Sequence, residues 1–199
     1  MKLARVYPIV DSAGWISRLA PLGVRLVQLR LKELPPERLR TEVRAARAHC
    51  AVHGIQLVLN DYWQLALAEG CDFVHLGQGD LDGADVPALR RAGVRLGVST
   101  HDHAELERAL SLAPDYVALG PIYPTLLKLM PWAPQGLARI GEWKARIGTR
   151  PLVVIGGLTL ERLAGVFAAG ADVAAVVTDI VRHQDPDART RAWLQAAAA

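Results

Sequence analysis

Short apolar runs recur along the chain, and five of them open alike: GVRLVQL (23–29), GIQLVL (54–59), GCDFVHL (70–76), GVRLGV (93–98) and GADVAAVV (170–177). In each, a glycine able to stop a helix comes first, a polar residue follows shortly after, and a run of β-type side chains completes the unit. Val6–Val10 opens the chain with another apolar run, and Tyr116–Leu119 and Leu152–Ile155 add two more, entered through Pro114–Asp115 and Arg150–Pro151. Together they amount to about eight short strands.

Between these runs the period becomes helical. Leu39, Val43, Ala46 and Cys50 recur on one face, with Arg38, Arg40, Arg44 and Arg47 largely opposite. Leu160, Leu163, Ala164 and Phe167 repeat the pattern, with Thr159 as N-cap and Gly170 as stop. Asp185–Pro186 reads as the N-cap and first turn of a last helix. Continuously apolar strands alternating with helices predict a parallel sheet covered by helices. A doubly wound sheet also suits this length, since barrels typically run to ~250 residues and ~200 is near their lower limit. The strand count favours the α/β class and a single-domain (βα)8 TIM barrel over residues 1–199. No linker or low-complexity stretch divides the chain, and the alanines from Ala196 are expected to fray.

Composition narrows function more than fold. With 51% hydrophobic and 22% charged residues among 199, the chain has the makings of one domain with a real core. The formal net charge is only +3, and the basic residues are scattered among acids. This speaks against nucleic-acid and membrane-surface partners. No apolar stretch nears the roughly 18 residues of a membrane span. The opening MKLARVYPIVD meets an acid too early for a signal peptide. Cys50 and Cys71 follow no metal or redox spacing and read as buried free thiols. A cytoplasmic location is expected.

In a parallel barrel the active site lies at the carboxyl ends of the strands, and here those ends carry the polar residues. One apolar run finishes in Asn60–Asp61 and the next in Gly77–Gln78–Gly79–Asp80. Asp61 and Asp80 are hard oxygen ligands of the kind Mg2+ takes, with water and substrate phosphates completing its shell. Either acid alone would read as a helix cap. Gln28, Arg30 and Lys32 are two apart, so strand geometry turns them to one side and Val27, Leu29 and Leu31 to the helix layer. Cations aimed at a barrel mouth are costly unless an acid or a ligand anion meets them. A salt bridge to Asp61 or Asp80 would suffice. Two acids at adjacent strand ends beside two cations nonetheless favour a metal–polyphosphate site and phosphorylated small-molecule substrates.

Gly156–Gly157 before Thr159 has the form of the phosphate-binding corner that follows strands seven and eight, and equally that of a plain turn. Val177–Thr178 would supply the other half of such a corner. Asp179 beside it would repel a phosphate unless its side chain points away. The loop from Pro121 to Gly136 is long and carries Lys128, as a lid over a ligand would. His75, His101 and His103 lack the spacing of an H-E-x-x-H zinc site. His75 reads as a hydrogen-bonded residue of the mouth and His103 as a helix-surface residue.

Taken in order from about Tyr7 to Ile180, the segments YPIVDS, VQLRLKEL, LNDYWQLAL, VHLGQGDL, LGVSTHD, ALGPIYPT, PWAPQGL, VVIGGLTLER and AVVTDI resemble the thiamine-phosphate synthase family. The resemblance implies a (βα)8 barrel that joins 4-amino-2-methyl-5-hydroxymethylpyrimidine diphosphate to a (carboxy)thiazole phosphate, releases diphosphate and requires Mg2+. On matching positions it implies that Gln28, Leu29, Arg30, Leu31, Lys32, Asn60, Ser99 and Lys128 bind the pyrimidine diphosphate. Of these, Arg30, Lys32, Ser99 and Lys128 would serve catalysis. Asp61 and Asp80 would hold Mg2+, and the thiazole phosphate would meet Thr125, Leu126, Leu127, Gly157, Val177 and Thr178.

This chain departs from the family pattern at three positions. Leu127 stands where the family has a hydroxyl expected to bind the thiazole phosphate, a hydrogen bond worth roughly 1.5–3 kcal/mol. Gly79 replaces an acid, and Asp179 a small residue. Two other functions therefore compete: a thiazole tautomerase-like isomerase, and a non-catalytic barrel that binds a phosphate ligand. The intact set of Gln28, Arg30, Lys32, Asp61, Asp80 and Ser99 favours the synthase. A homo-oligomer is compatible with all three.

Overall fold

A computed structural model describes residues 2–125 and 132–198. Strands β1 (Val6–Val10), β2 (Leu26–Leu29), β3 (Gln56–Asn60), β4 (Phe73–Leu76), β5 (Arg95–Thr100), β6 (Tyr116–Leu119), β7 (Leu152–Val154) and β8 (Val173–Val176) pair in sequence order. All the pairings are parallel, and β1 meets β8 through Val6–Ala174, Tyr7–Ala175 and Pro8–Val176. The sheet therefore closes on itself, which excludes the doubly wound alternative, an open sheet.

Helices α1 (Ala13–Leu19), α2 (Pro36–His53), α3 (Trp63–Glu69), α4 (Val86–Arg91), α5 (His103–Ser111), α6 (Gly136–Ile147), α7 (Leu163–Ala168), α8 (Thr178–Val181) and α9 (Pro186–Ala198) connect or follow the strands. Strand parity explains why the strands are largely apolar on both faces. Tyr7, Ile9, Val58, Phe73, Tyr116 and Val153 fill the barrel interior. Their neighbours Val6, Val10, Leu57, Leu59, Val74 and Leu152 pack outward against the helices. Each strand is thus buried on both faces.

The recurring glycine has a backbone reason. Gly54 and Gly70 cap α2 and α3 at left-handed φ values of 61° and 66°, a conformation side-chain-bearing residues rarely adopt. The arginine stripe of α2 is partly consumed by one acid. Arg44 donates to both oxygens of Glu69, at 2.7 and 3.1 Å, and Arg40 adds a third bond at 3.3 Å. Asp185 accepts from the Ala188 N–H at 3.0 Å and so caps α9. Thr159 makes no such side-chain bond, and the segment after it enters α7 through a single 3-10 turn, Leu160–Arg162.

Cys50 and Cys71 are buried and free, and burial pushes their thiols up to about 12 and about 11. Among the described residues no helix is long and apolar enough to cross a membrane.

Candidate active site

A cavity of about 720 Å³ opens at the carboxyl ends of the strands. It brings together Gln28, Arg30, Lys32, Asn60, Asp61, Asp80, Ser99, Thr125, Gly157, Val177 and Thr178. Leu29 and Leu31 are not among its lining. The alternation that turns Arg30 and Lys32 to the mouth sends these two leucines into the sheet–helix layer, where they are 0% and 1% exposed. Their side chains are therefore not contacts for a ligand in the cavity. Leu126, Leu127 and Lys128 lie outside the described residues.

One rim is ionic. Lys32 Nζ donates to Asp61 Oδ2 at 3.1 Å, so the salt-bridge alternative is realised for this lysine. The lysine side chain is 53% exposed, and an exposed pair of this kind is worth little and is readily exchanged. The Arg30 guanidinium makes no hydrogen bond or ion pair with another described residue. Asp61 has a left-handed φ of 64°, and its N–H donates to the His75 carbonyl at 2.9 Å, which fixes its turn to β4. Asp80 Oδ2 accepts the Gly77 N–H at 3.0 Å. Burial, and after it the neighbouring Asp61 carboxylate, hold the Asp80 carboxyl above its ordinary range. Neither acid caps a helix through its side chain.

Two neighbouring carboxylates that face a cavity, Asp61 raising the proton affinity of Asp80, form a donor set suited to a hard dication. Among the described residues no three His, Cys, Asp or Glu side chains cluster for a metal. The residues therefore fit an ion that takes two protein carboxylates and fills its remaining positions with water and substrate oxygens, as Mg2+ does.

The floor of the cavity is polar but uncharged. Gln28 Nε2 donates to the Tyr7 hydroxyl at 3.0 Å, and the Tyr7 and Tyr116 hydroxyls share a proton contact at 3.2 Å. The chain continues from Tyr116 to His75 Nδ1 at 2.7 Å and from His75 Nε2 to Ser99 Oγ at 2.8 Å. Burial raises both phenols and pushes the His75 imidazole down to about 4, so all three groups are neutral near pH 7. Asn60, only 5% exposed, adds a carboxamide that bonds no described residue. Such a surface offers hydrogen bonds to a flat, uncharged heterocycle.

Tyr7 and Tyr116 were not legible as site residues from motif spacing. The available signal was parity: Tyr7 lies two residues before Ile9 on the inward face of β1, and a tyrosine buried inside a barrel needs a partner for its hydroxyl. Gly97 is the counterpart of Tyr116, since a Cβ at Gly97 would lie 2.1 Å from the Tyr116 Cζ.

The depressed His75 value has a measurable consequence. Below its ordinary value of 6.5 the unfolded chain takes up a proton that the folded chain refuses until about 4. Stability is therefore expected to fall as pH drops through this window, by up to ~3 kcal/mol from this residue. Urea unfolding at pH 7 and at pH 4.5 measures the loss, and His75→Gln should remove most of this contribution.

The opposite rim is backbone. Gly156 and Gly157 take left-handed φ values of 100° and 63°. A Cβ on Gly157 would meet the Pro124 carbonyl at 2.4 Å, so close packing of the 121–124 segment also requires glycine there. The Gly157 N–H nevertheless has no partner among the described residues. Asp179 does not line the cavity; its carboxylate turns to Arg189. Trp132 lines the mouth and stacks on His101 with ring centroids 3.9 Å apart. His103 sits on the outer surface with Glu142. The three histidines are thus dispersed among three different roles.

A closed (βα)8 barrel with an ionic rim, an uncharged polar floor and a glycine corner is the architecture of a barrel enzyme for small molecules. Residues 6–180 match the family described as thiamine monophosphate synthase, and the chain belongs to that family. It is a transferase. A thiamine-phosphate synthase of Rhizobium etli is 61% identical over 198 residues, covering 100% of this chain and 97% of its own. One from Serratia proteamaculans is 47% identical, covering 96% and 90%. The solved structure of a thiamine phosphate pyrophosphorylase from Pyrococcus furiosus superposes with a TM-score of 0.86 over 98% of this chain and 96% of that one. At 20% identity that likeness speaks for the fold alone.

Proposed function

We propose that the chain, acting as one barrel over residues 1–199, couples 4-amino-2-methyl-5-hydroxymethylpyrimidine diphosphate with a (carboxy)thiazole phosphate to give thiamine phosphate and diphosphate. The observation that carries this is the shared cavity, in which the Asp61, Asp80, Arg30 and Lys32 rim adjoins a neutral hydrogen-bonding floor. The pyrimidine lies on that floor against Gln28, Asn60 and Ser99, and its diphosphate extends toward Arg30 and Lys32. The thiazole phosphate lies at Gly157, Val177, Thr178 and Thr125.

The thiazole nitrogen attacks the pyrimidine methylene carbon with its own lone pair. The new C–N bond forms as the C–O bond breaks, and the electron pair of that C–O bond leaves with diphosphate. No proton has to be removed from the nucleophile, so this step asks for no general base. Asp61 and Asp80 would hold Mg2+, which when bound supplies positive charge to the leaving group. Arg30 and Lys32 bind the same diphosphate oxygens, and Lys32 can give up its weak contact with Asp61 to do so. The uncharged floor spares the developing cationic methylene any fixed positive charge, and the closed barrel below it keeps water from the carbon.

The test is direct. Purified protein given both substrates and Mg2+ is expected to form thiamine phosphate, read as fluorescent thiochrome, with product lost on chelation. Tight thiazole-phosphate binding with no product would make it a binding barrel. Isomerisation of the thiazole phosphate without diphosphate release would make it a tautomerase.

A further inference from the structure

Asp179 stands beside the corner proposed for the thiazole phosphate, where a bare carboxylate would repel the ligand. The structure gives it four hydrogen bonds instead. Arg189 grips it in bidentate fashion, Nε to Oδ2 at 2.8 Å and Nη2 to Oδ1 at 3.0 Å. The Trp193 indole N–H donates to Oδ2 at 2.6 Å, and the Leu160 N–H reaches the same oxygen at 3.3 Å. The side chains of Arg189 and Asp179 are only 16% and 14% exposed, and Trp193 is fully buried.

These partners come from three parts of the fold. Leu160 opens the turn that follows Gly156–Gly157, Asp179 lies beside Thr178 in α8 just after β8, and Arg189 and Trp193 belong to α9. One carboxylate thus ties the two backbone halves of the corner together and anchors both to the last helix. Paired charge inside a partly buried network is held more rigidly than an exposed ion pair.

We propose that Asp179 is a positioning residue for the thiazole-phosphate corner, and that Arg189, aided by Trp193, keeps its charge turned away from the bound phosphate. This deepens the function proposed above and rests on the phosphate lying between Gly157 and Thr178. The fold spaces the two backbone segments through Asp179, and α9 neutralises the cost of putting an acid there. It follows that removing Arg189 harms phosphate binding twice, by loosening the corner and by freeing a negative charge beside it.

The experiment is steady-state kinetics of the full-length enzyme with each substrate varied in turn. Arg189→Met is expected to raise KM for the thiazole phosphate by about tenfold or more, with KM for the pyrimidine diphosphate within about twofold of the parent. Adding Asp179→Asn to Arg189→Met removes the freed charge and is expected to bring the thiazole-phosphate KM back to within about threefold of the parent. Trp193→Phe, which deletes one donor and keeps an aromatic ring, should give a smaller rise in the same KM alone; it serves if Arg189→Met does not fold. Equal rises in both KM values, or a double variant no better than Arg189→Met, would overturn the proposal. Wild-type protein that forms no product would count against the synthase function instead. Calorimetric titration of the same variants with thiazole phosphate would then make the same comparison without turnover.

Discussion

Asp61→Ala is expected to lower kcat/KM for the coupling reaction by about a hundredfold or more at ordinary Mg2+ concentration, since removing one preorganised electrostatic contributor typically costs 10²–10³. The residue sits where three effects meet. Its carboxylate bonds Lys32 at 3.1 Å, raises the proton affinity of Asp80, and faces the cavity beside Arg30. Asp61→Asn separates charge from shape, because the amide oxygen can still accept from Lys32 while a dication held by Asp61 and Asp80 would lose half of its protein charge. A comparable loss in Asp61→Asn would assign the effect to charge. The deficit should shrink as Mg2+ is raised, as expected when affinity for the ion has fallen. His103→Ala is the control: His103 lies on the outer surface against Glu142 and Arg139 and should leave activity within about twofold of the parent, as surface substitutions do. Mild and equal effects of Asp61→Ala and His103→Ala would mean that the metal site is misassigned.

What the sequence made legible follows from what repeats and what alternates. The glycine-led unit recurs at five strands because the helical segment before each has to be stopped, so much of the barrel could be counted from GVRLVQL to GADVAAVV. The direction of Gln28, Arg30 and Lys32 followed from strand parity, and Gln28, hydrogen-bonded to Tyr7 inside the barrel, takes the inward side. Parity also separates Leu29 and Leu31 from the ligand, although their place in a contiguous motif associates them with it. The floor was less legible, because its members come from β1, β2, β3, β4, β5 and β6 and meet only through closure of the sheet. Nothing near Tyr7 in the chain announces Tyr116 or His75. Asp179 is the sharpest case. Its charge looked wrong beside a phosphate corner, and the partner that corrects it, Arg189, lies ten residues on in another helix.

Gly97→Ala is expected to be strongly destabilising. The backbone there is an ordinary strand, so the need for glycine is one of space. A Cβ at this position would lie 2.1, 2.3 and 2.6 Å from Cζ, Cε1 and Cε2 of Tyr116. The ring cannot retreat easily: Tyr7 meets it edge-on at 6.2 Å, Phe73 lies tilted at 5.5 Å, and His75 stacks on it at 5.6 Å. Overpacking a core typically costs about 1–3 kcal/mol. Displacing Tyr116 also breaks its bonds to Tyr7 and His75, and each buried polar group left unsatisfied costs a further ~1–3 kcal/mol. A loss of about 3 kcal/mol or more is therefore expected in urea unfolding. Tyr116→Ala opens the space that the new methyl needs. The double variant should consequently be more stable than the sum of the two single changes by more than ~1 kcal/mol, the coupling expected of residues in direct contact. The kinetic signature should be selective as well: on the proposed placement of the substrates, KM should rise for the pyrimidine diphosphate and not for the thiazole phosphate. Additive stabilities with both KM values unchanged would mean that Tyr116 is ordinary packing and that the hydrogen-bonded floor plays no part in binding.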